Sequence, residues 1–177
     1  MKQKGNAKRV PNRNYWGKYE NQVSDELKTM VHEQYLSYDT LYVYCDSSLN
    51  QVMKQMSIAC SYVGTGRVIV KQQYVYPPND CTDKAIFGEI KAVIFGLTHF
   101  EKYKMPNCEK VIFYSDVYDI EDFLHNKITF KKNASLKKLQ SEFIMLYQKV
   151  QMQNPHLTIE VKYLKLEEKI NNPFHRS

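Results

Sequence analysis

Apolar and polar positions alternate tightly over Leu41-Tyr-Val-Tyr-Cys-Asp46, a run rich in strand-forming residues. It predicts a strand that opens the ordered domain near Thr40. Residues 57–63 and 68–76 read as two more strands, and Gly64-Thr-Gly66 between them supplies the flexible turn of a hairpin. Three strands in succession with short turns imply an antiparallel meander, which Pro77-Pro78-Asn79-Asp80 brings to a stop. The period then changes. Ile86, Ile90, Val93, Leu97 and Phe100 recur at three- and four-residue steps, predicting a long helix over about 82–103 with that stripe against the sheet.

Lys110-Val-Ile-Phe-Tyr-Ser115 has the continuous apolar centre of a buried parallel strand, and residues 117–125 read as a short helix. Leu136, Leu139, Phe143, Leu146 and Val150 mark one side of a helix over 135–151. Residues 156–164 form the last predicted strand, with Leu157, Ile159, Val161 and Tyr163 inward. The order is βββαβαβ with one extra helix before the last strand. Strands one, four and five should run parallel, joined by right-handed crossovers. Upstream, Ser24 is placed to cap a helix over 24–35 that carries Leu27, Met30 and Val31. Residues 1–20 show no apolar period and hold Lys2, Lys4, Lys8, Arg9, Arg13 and Lys18, so they read as a flexible basic arm with Trp16 available for docking. The expected division is an arm with a short helix over 1–38 and one α/β domain over 39–177.

Composition narrows the class. An apolar share of 43% in 177 residues supports one core and excludes wholesale disorder. Twenty-five basic against 19 acidic residues leave a net charge of +6, which favours a polyanionic partner. Cys45, Cys60, Cys81 and Cys108 show no CxxC or zinc-like spacing, and Cys45 and Cys60 fall inside apolar runs as reduced core thiols would. No stretch approaches the ~20 apolar residues of a membrane span, and the basic start lacks the apolar run of a secretory signal. The expected setting is therefore the cytoplasm, with no membrane partner.

Three carboxylates stand at structural junctions. Asp46 is read as closing an otherwise apolar strand, where it needs water, a donor or a cation. Glu89 lies three residues after Ile86 and four before Val93, so it projects from the apolar stripe rather than the wet face. Asp116 follows a parallel strand, at the carboxyl end where open α/β sheets bind ligands. A helix cap is the competing reading for Asp116, although Ser115 would cap equally well. With strands one and four adjacent and parallel, Asp46 and Asp116 leave the same end of the sheet and the Glu89 helix crosses them. Their mutual repulsion calls for a divalent cation, and an oxygen-only shell suits Mg2+ or Mn2+ better than zinc.

On these residues the chain resembles the ribonuclease H superfamily, in its type I and reverse-transcriptase-like branch. Tyr44-Cys-Asp46-Ser-Ser48 resembles that family's first-strand acid followed by small residues. Gly88-Glu-Ile-Lys-Ala-Val-Ile-Phe-Gly-Leu97 resembles its helix motif, and Ile112-Phe-Tyr-Ser-Asp116 its fourth-strand Ser-Asp. The resemblance spans about residues 40–177. It implies a five-stranded mixed sheet of order 3-2-1-4-5 flanked by helices, with Asp46, Glu89 and Asp116 as catalytic metal ligands. The tail departs from the pattern. In place of a mobile His and then an Asn-x-x-Ala-Asp helix, this chain has Leu164-Lys-Leu-Glu-Glu-Lys-Ile-Asn-Asn-Pro-Phe-His-Arg-Ser177. Glu167 or Glu168 falls near the expected His, and His175 near the expected fourth acid, where it is a weaker candidate ligand. Either more chain follows Ser177 or the second metal site is altered.

Lys127, Lys131, Lys132, Lys137 and Lys138 form a basic cluster against which a phosphate backbone could lie. The reading is a metal-dependent endonuclease cutting the RNA strand of an RNA/DNA hybrid, with the basic arm adding affinity or meeting a protein partner. Two alternatives stay open: a catalytically impaired relative that binds nucleic acid or protein, and a DNA-directed nuclease on the same fold.

Overall fold

The computed structural model describes residues 15–175; most of the basic arm, residues 1–14, lies outside the described residues. Five strands form one sheet: β1 (Thr40–Asn50), β2 (Gln55–Gly64), β3 (Arg67–Val75), β4 (Lys110–Ser115) and β5 (Thr158–Tyr163). Their spatial order is β3-β2-β1-β4-β5. β1–β2 and β2–β3 pair antiparallel, while β1–β4 and β4–β5 pair parallel. This is the meander followed by parallel crossovers that the alternating runs predict.

The helices are α1 (Asp25–Leu36), α2 (Ala85–His99), α3 (Ile120–Leu124), α4 (Ala134–Gln153) and α5 (Leu166–Lys169). Ser24 caps α1 by accepting from the Leu27 amide, and Asn133 caps α4 by accepting from that of Leu136. The long second helix is shorter than its apolar stripe suggests. Regular α-helix ends at His99, and Phe100–Lys102 tightens into a 3-10 turn. Residues 117–119 are not helical either, so α3 begins only at Ile120. β1 also runs past Asp46 to Asn50, because Ser47 to Asn50 continue the ladder with β2 after β4 has ended. Asp46 therefore sits inside a strand rather than closing one.

Both faces of the sheet are covered. On one, Val43, Cys45, Cys60 and Phe113 pack with Ile90, Val93 and Leu97 of α2 and Leu139 and Phe143 of α4. Gly96 permits this approach: a Cβ there would lie 3.2–3.3 Å from Phe113 and the sulfurs of Cys45 and Cys60. All four cysteines are free thiols. The opposite face carries Tyr44, Val63 and Leu164, covered by Val23, Leu27 and Val31 from the α1 region and by Phe174 from the C-terminal segment. Among the described residues no helix is long and apolar enough to cross a membrane.

Candidate active site

The β1–β4 register fixes two of the acids. Tyr44 is paired with Tyr114, so Asp46 and Asp116 each stand two residues further along adjacent parallel strands. Strands so paired lie roughly 4.8 Å apart, and residues two apart point to the same side. The carboxyl groups therefore meet at one end of the sheet. Ser115 is buried and its hydroxyl accepts from the Val117 amide, which turns the chain after β4 without using Asp116. Asp116 is thereby left for other partners, and the cap reading does not apply to it.

Glu89 comes from the first turns of α2. Its neighbour Gly88 lets the helix lie almost on β1, since a Cβ at that position would fall 2.8 Å from the Ser47 hydroxyl oxygen. At that range the Ser47 hydroxyl donates to Glu89 Oε1 over 2.9 Å. Glu89 Oε2 is buried and has no hydrogen-bond partner among the described residues. Burial first, and then the charges of Asp46 and Asp116, push the Glu89 carboxyl up to about 7 despite the Ser47 bond.

Asp46 and Asp116 differ in their surroundings. The Ser47 amide donates to Asp46 Oδ1 over 2.9 Å, yet burial keeps the Asp46 carboxyl above its ordinary value. Burial would raise Asp116 too. There it is outweighed by bonds from His175 and Lys169, which hold the carboxyl below the ordinary range. Lys169 Nζ lies 2.9 Å from Asp116 Oδ2, and His175 Nε2 lies 3.2 Å from both Asp116 oxygens. The same contact with Asp116 raises the Lys169 ammonium.

One ligand atom from each of Asp46, Asp116 and His175 lies within 4.8 Å of the others. The tight group thus contains the weaker sequence candidate, His175, while Glu89 stands beside it on Ser47. An unpartnered buried carboxylate oxygen next to two further carboxylates is a donor set that fits a hard divalent cation.

The chain matches no known protein family, and no curated protein sequence matches it. Solved structures do match. Ribonuclease H1 of the halophilic archaeon Halobacterium salinarum aligns with a TM-score of 0.52 at 10% identity, over 72% of this chain and 86% of that one. LC11 ribonuclease H1, solved in complex with an RNA/DNA hybrid, aligns at 0.52 with 13% identity, over 72% and 87%. An N-terminal ribonuclease H domain from Mycobacterium tuberculosis, fused to maltose-binding protein, gives 0.52 at 11% identity over 72% and 84%. The fold is ribonuclease H-like.

On this ribonuclease H-like frame the five candidate lysines are all exposed, at the turn after α3 and the first turns of α4. None of them bonds the acidic group among the described residues. Lys138 and Lys91 line a shallow groove with Tyr76, Phe87 and Ser135.

Sequence reasoning missed Ser47, Gly88 and Lys169. The first two had a signal: a small residue beside the acid in β1 and a glycine beside the acid in α2 are what a close helix–strand approach requires. Lys169 had none, because α5 is a single turn without a period.

Proposed function

We propose that the chain is a metal-dependent endoribonuclease that cleaves the RNA strand of RNA/DNA hybrids. The observation that carries this reading is the convergence of Asp46 and Asp116 from adjacent parallel strands beside the buried, unpartnered Oε2 of Glu89. The hybrid bound to LC11 ribonuclease H1, a structure of the same fold, supports the choice of substrate. In the proposed division, residues 39–177 form the nuclease domain and residues 1–38 an extension whose α1 packs on the sheet and whose basic residues add affinity for the phosphate backbone. The acidic centre would hold Mg2+ or Mn2+.

A divalent ion bound there supplies Lewis-acid stabilisation and lowers the pKa of coordinated water. The chain's own groups set up that chemistry. Asp46 and Asp116 offer oxygens from one sheet end, and Glu89 is held by Ser47 so that Oε2 remains available. Burial pushes the Glu89 carboxyl up to about 7, and Glu89 would hold an ion in its deprotonated form, so binding there would be favoured at higher pH. His175 Nε2 fixes the orientation of the Asp116 carboxylate. The exposed lysines 127, 131, 132, 137 and 138 offer a surface for the phosphate backbone.

One observation favours a second reading. Asp116 is already engaged by a lysine and a histidine, as suits a catalytically impaired relative that binds nucleic acid without cutting it. Cleavage of labelled RNA/DNA hybrid, duplex DNA and single-stranded RNA in Mg2+ or Mn2+ separates the readings. The proposal expects the RNA strand of the hybrid to be cut, with a loss of more than about a hundredfold in Asp46→Asn. Equal cleavage by the Asp46→Asn protein would remove the site assignment. Hybrid binding without cleavage would establish the second reading.

A further inference from the structure

Lys169 is the basic side chain that reaches into the acidic centre from the C-terminal segment. Its position does not depend on the flexible reach of a long surface side chain alone. β5 ends at Tyr163, the Leu164 amide donates to the Ser115 carbonyl over 2.8 Å, and α5 begins two residues later. Asn172 is fully buried; its Nδ2 donates to the Glu168 carbonyl and to the Tyr44 hydroxyl, and its Oδ1 accepts from the Phe174 amide. Phe174 is buried against Tyr44 with ring centres 5.9 Å apart. These contacts anchor both sides of the turn, so Lys169 and His175 are presented together to Asp116.

We propose that the Lys169 ammonium is a tethered cation that takes the place of one of the two divalent ions in the paired-metal route to phosphodiester cleavage, leaving a site for a single ion. The inference rests on the metal-site reading above and deepens it. Paired-metal sites hold two ions ~4 Å apart, bridged and flanked by carboxylates. Here one oxygen of Asp116 is bonded by Lys169 at 2.9 Å, in a centre whose acids are Asp46, Glu89 and Asp116. One ammonium and one divalent ion neutralise three carboxylates. Two divalent ions beside the ammonium would leave the centre strongly positive at short range, which is unfavourable where solvent screening is reduced. The remaining ion has Asp46, the free oxygen of Glu89 and Asp116 Oδ1 to bind, the last shared with His175 Nε2 at 3.2 Å. Lys169 keeps about 38% of its side chain exposed, so it is replaceable without opening the core.

Calorimetric titration with Mn2+ at pH 8 tests this on the full chain, with circular dichroism melting as the check on folding. The wild-type chain is expected to bind one ion. Lys169→Met, which keeps the aliphatic stem and removes the charge, is expected to bind two. Lys169→Arg, which restores a cation, is expected to return to one. Two ions bound by the wild type, or one ion bound by a folded Lys169→Met, would overturn the proposal. Asp46→Asn separates the two levels of inference: if its Mn2+ binding equals that of the wild type, the metal-site reading itself fails. If Asp46→Asn loses binding while Lys169→Met leaves the stoichiometry at one, only the tethered-cation role fails.

Discussion

Glu89 reaches the acidic centre from the helix-covered face of the sheet, whereas Asp116 meets the C-terminal segment that covers the other. On the first side burial dominates: among the described residues Glu89 has one hydroxyl donor and a second oxygen without a partner, and its carboxyl is raised to about 7. On the second side Lys169 and His175 bond Asp116 and hold its carboxyl low. The centre is therefore asymmetric. Among the described residues, the Asp116 half has a cation bonded to it, Lys169, and the Glu89 half has none. The difference follows from what covers each face. α2 brings an apolar stripe with a single carboxylate in it, while the C-terminal segment brings Lys169 and His175 around the buried anchor Phe174.

Removing that anchor should have the largest effect. Phe174 is 3% exposed, and Phe174→Ala should cost about 3 kcal/mol of stability in urea unfolding through the cavity it leaves. An unchanged midpoint would mean that the C-terminal segment does not hold the second face.

The next two substitutions oppose each other in sign. A raised carboxyl stabilises the fold only while protonated: that contribution is complete below the unfolded value near 4.3 and is lost as pH rises through about 7. In metal-free protein at pH 8, Glu89→Gln should therefore stabilise the chain by about 2 kcal/mol, with the gain fading towards pH 4. Asp116 is depressed, so its contribution is present above the ordinary carboxylate value near 3.9 and is lost as pH falls through its lower folded value. Asp116→Asn should destabilise by about 1 kcal/mol at pH 7, discounted for partial exposure, and should become neutral in strong acid. Melting curves across pH would collapse the comparison if both amides shifted stability in the same direction.

An effect of similar size to that of Asp116→Asn lies at the far end of the C-terminal brace. The Trp16 indole donates to the Asn171 carbonyl over 2.7 Å, and Tyr15 meets Phe174 edge-on with ring centres 5.6 Å apart. Trp16→Phe removes that donor and should cost about 1 kcal/mol in the same urea experiment.

The faces also differ in how far they could be read from sequence. The α2–α4 side was legible because both partners are periodic: Val43 and Cys45 at strand spacing, and Ile90, Val93 and Leu97 at helix spacing. The meander and the parallel pairing of β1 with β4 followed from the same runs, while the full order β3-β2-β1-β4-β5 was an implication of the family resemblance. The other side was written in the opposite phase. Tyr44, Val63 and Leu164 are buried where a one-sided sheet would show polar residues, a sign that something covers them. The cover comes from residues 15–36 and 164–175; the helix carrying Leu27 and Val31 was legible by its period, but the contacts of this cover span most of the chain (Trp16 to Asn171 is one) and no local pattern pairs them. Trp16 docks, as its place in an otherwise aperiodic arm allows, but on a partner 155 residues away. The position of His175 in the tail makes it a weaker candidate ligand by sequence. Its approach to Asp116 depends on the buried Asn172 and Phe174, which no local pattern reveals.

The most direct test of the cation site is the melting temperature of the wild-type chain and Asp46→Asn at pH 8, with and without millimolar Mn2+. Binding to the folded state alone must stabilise it, by roughly 2.7 kcal/mol when the ion stands at 100 times its dissociation constant. The wild type should shift clearly upward, and Asp46→Asn little or not at all. Equal shifts in both proteins, or no shift in the wild type, would contradict the assignment of the cation site.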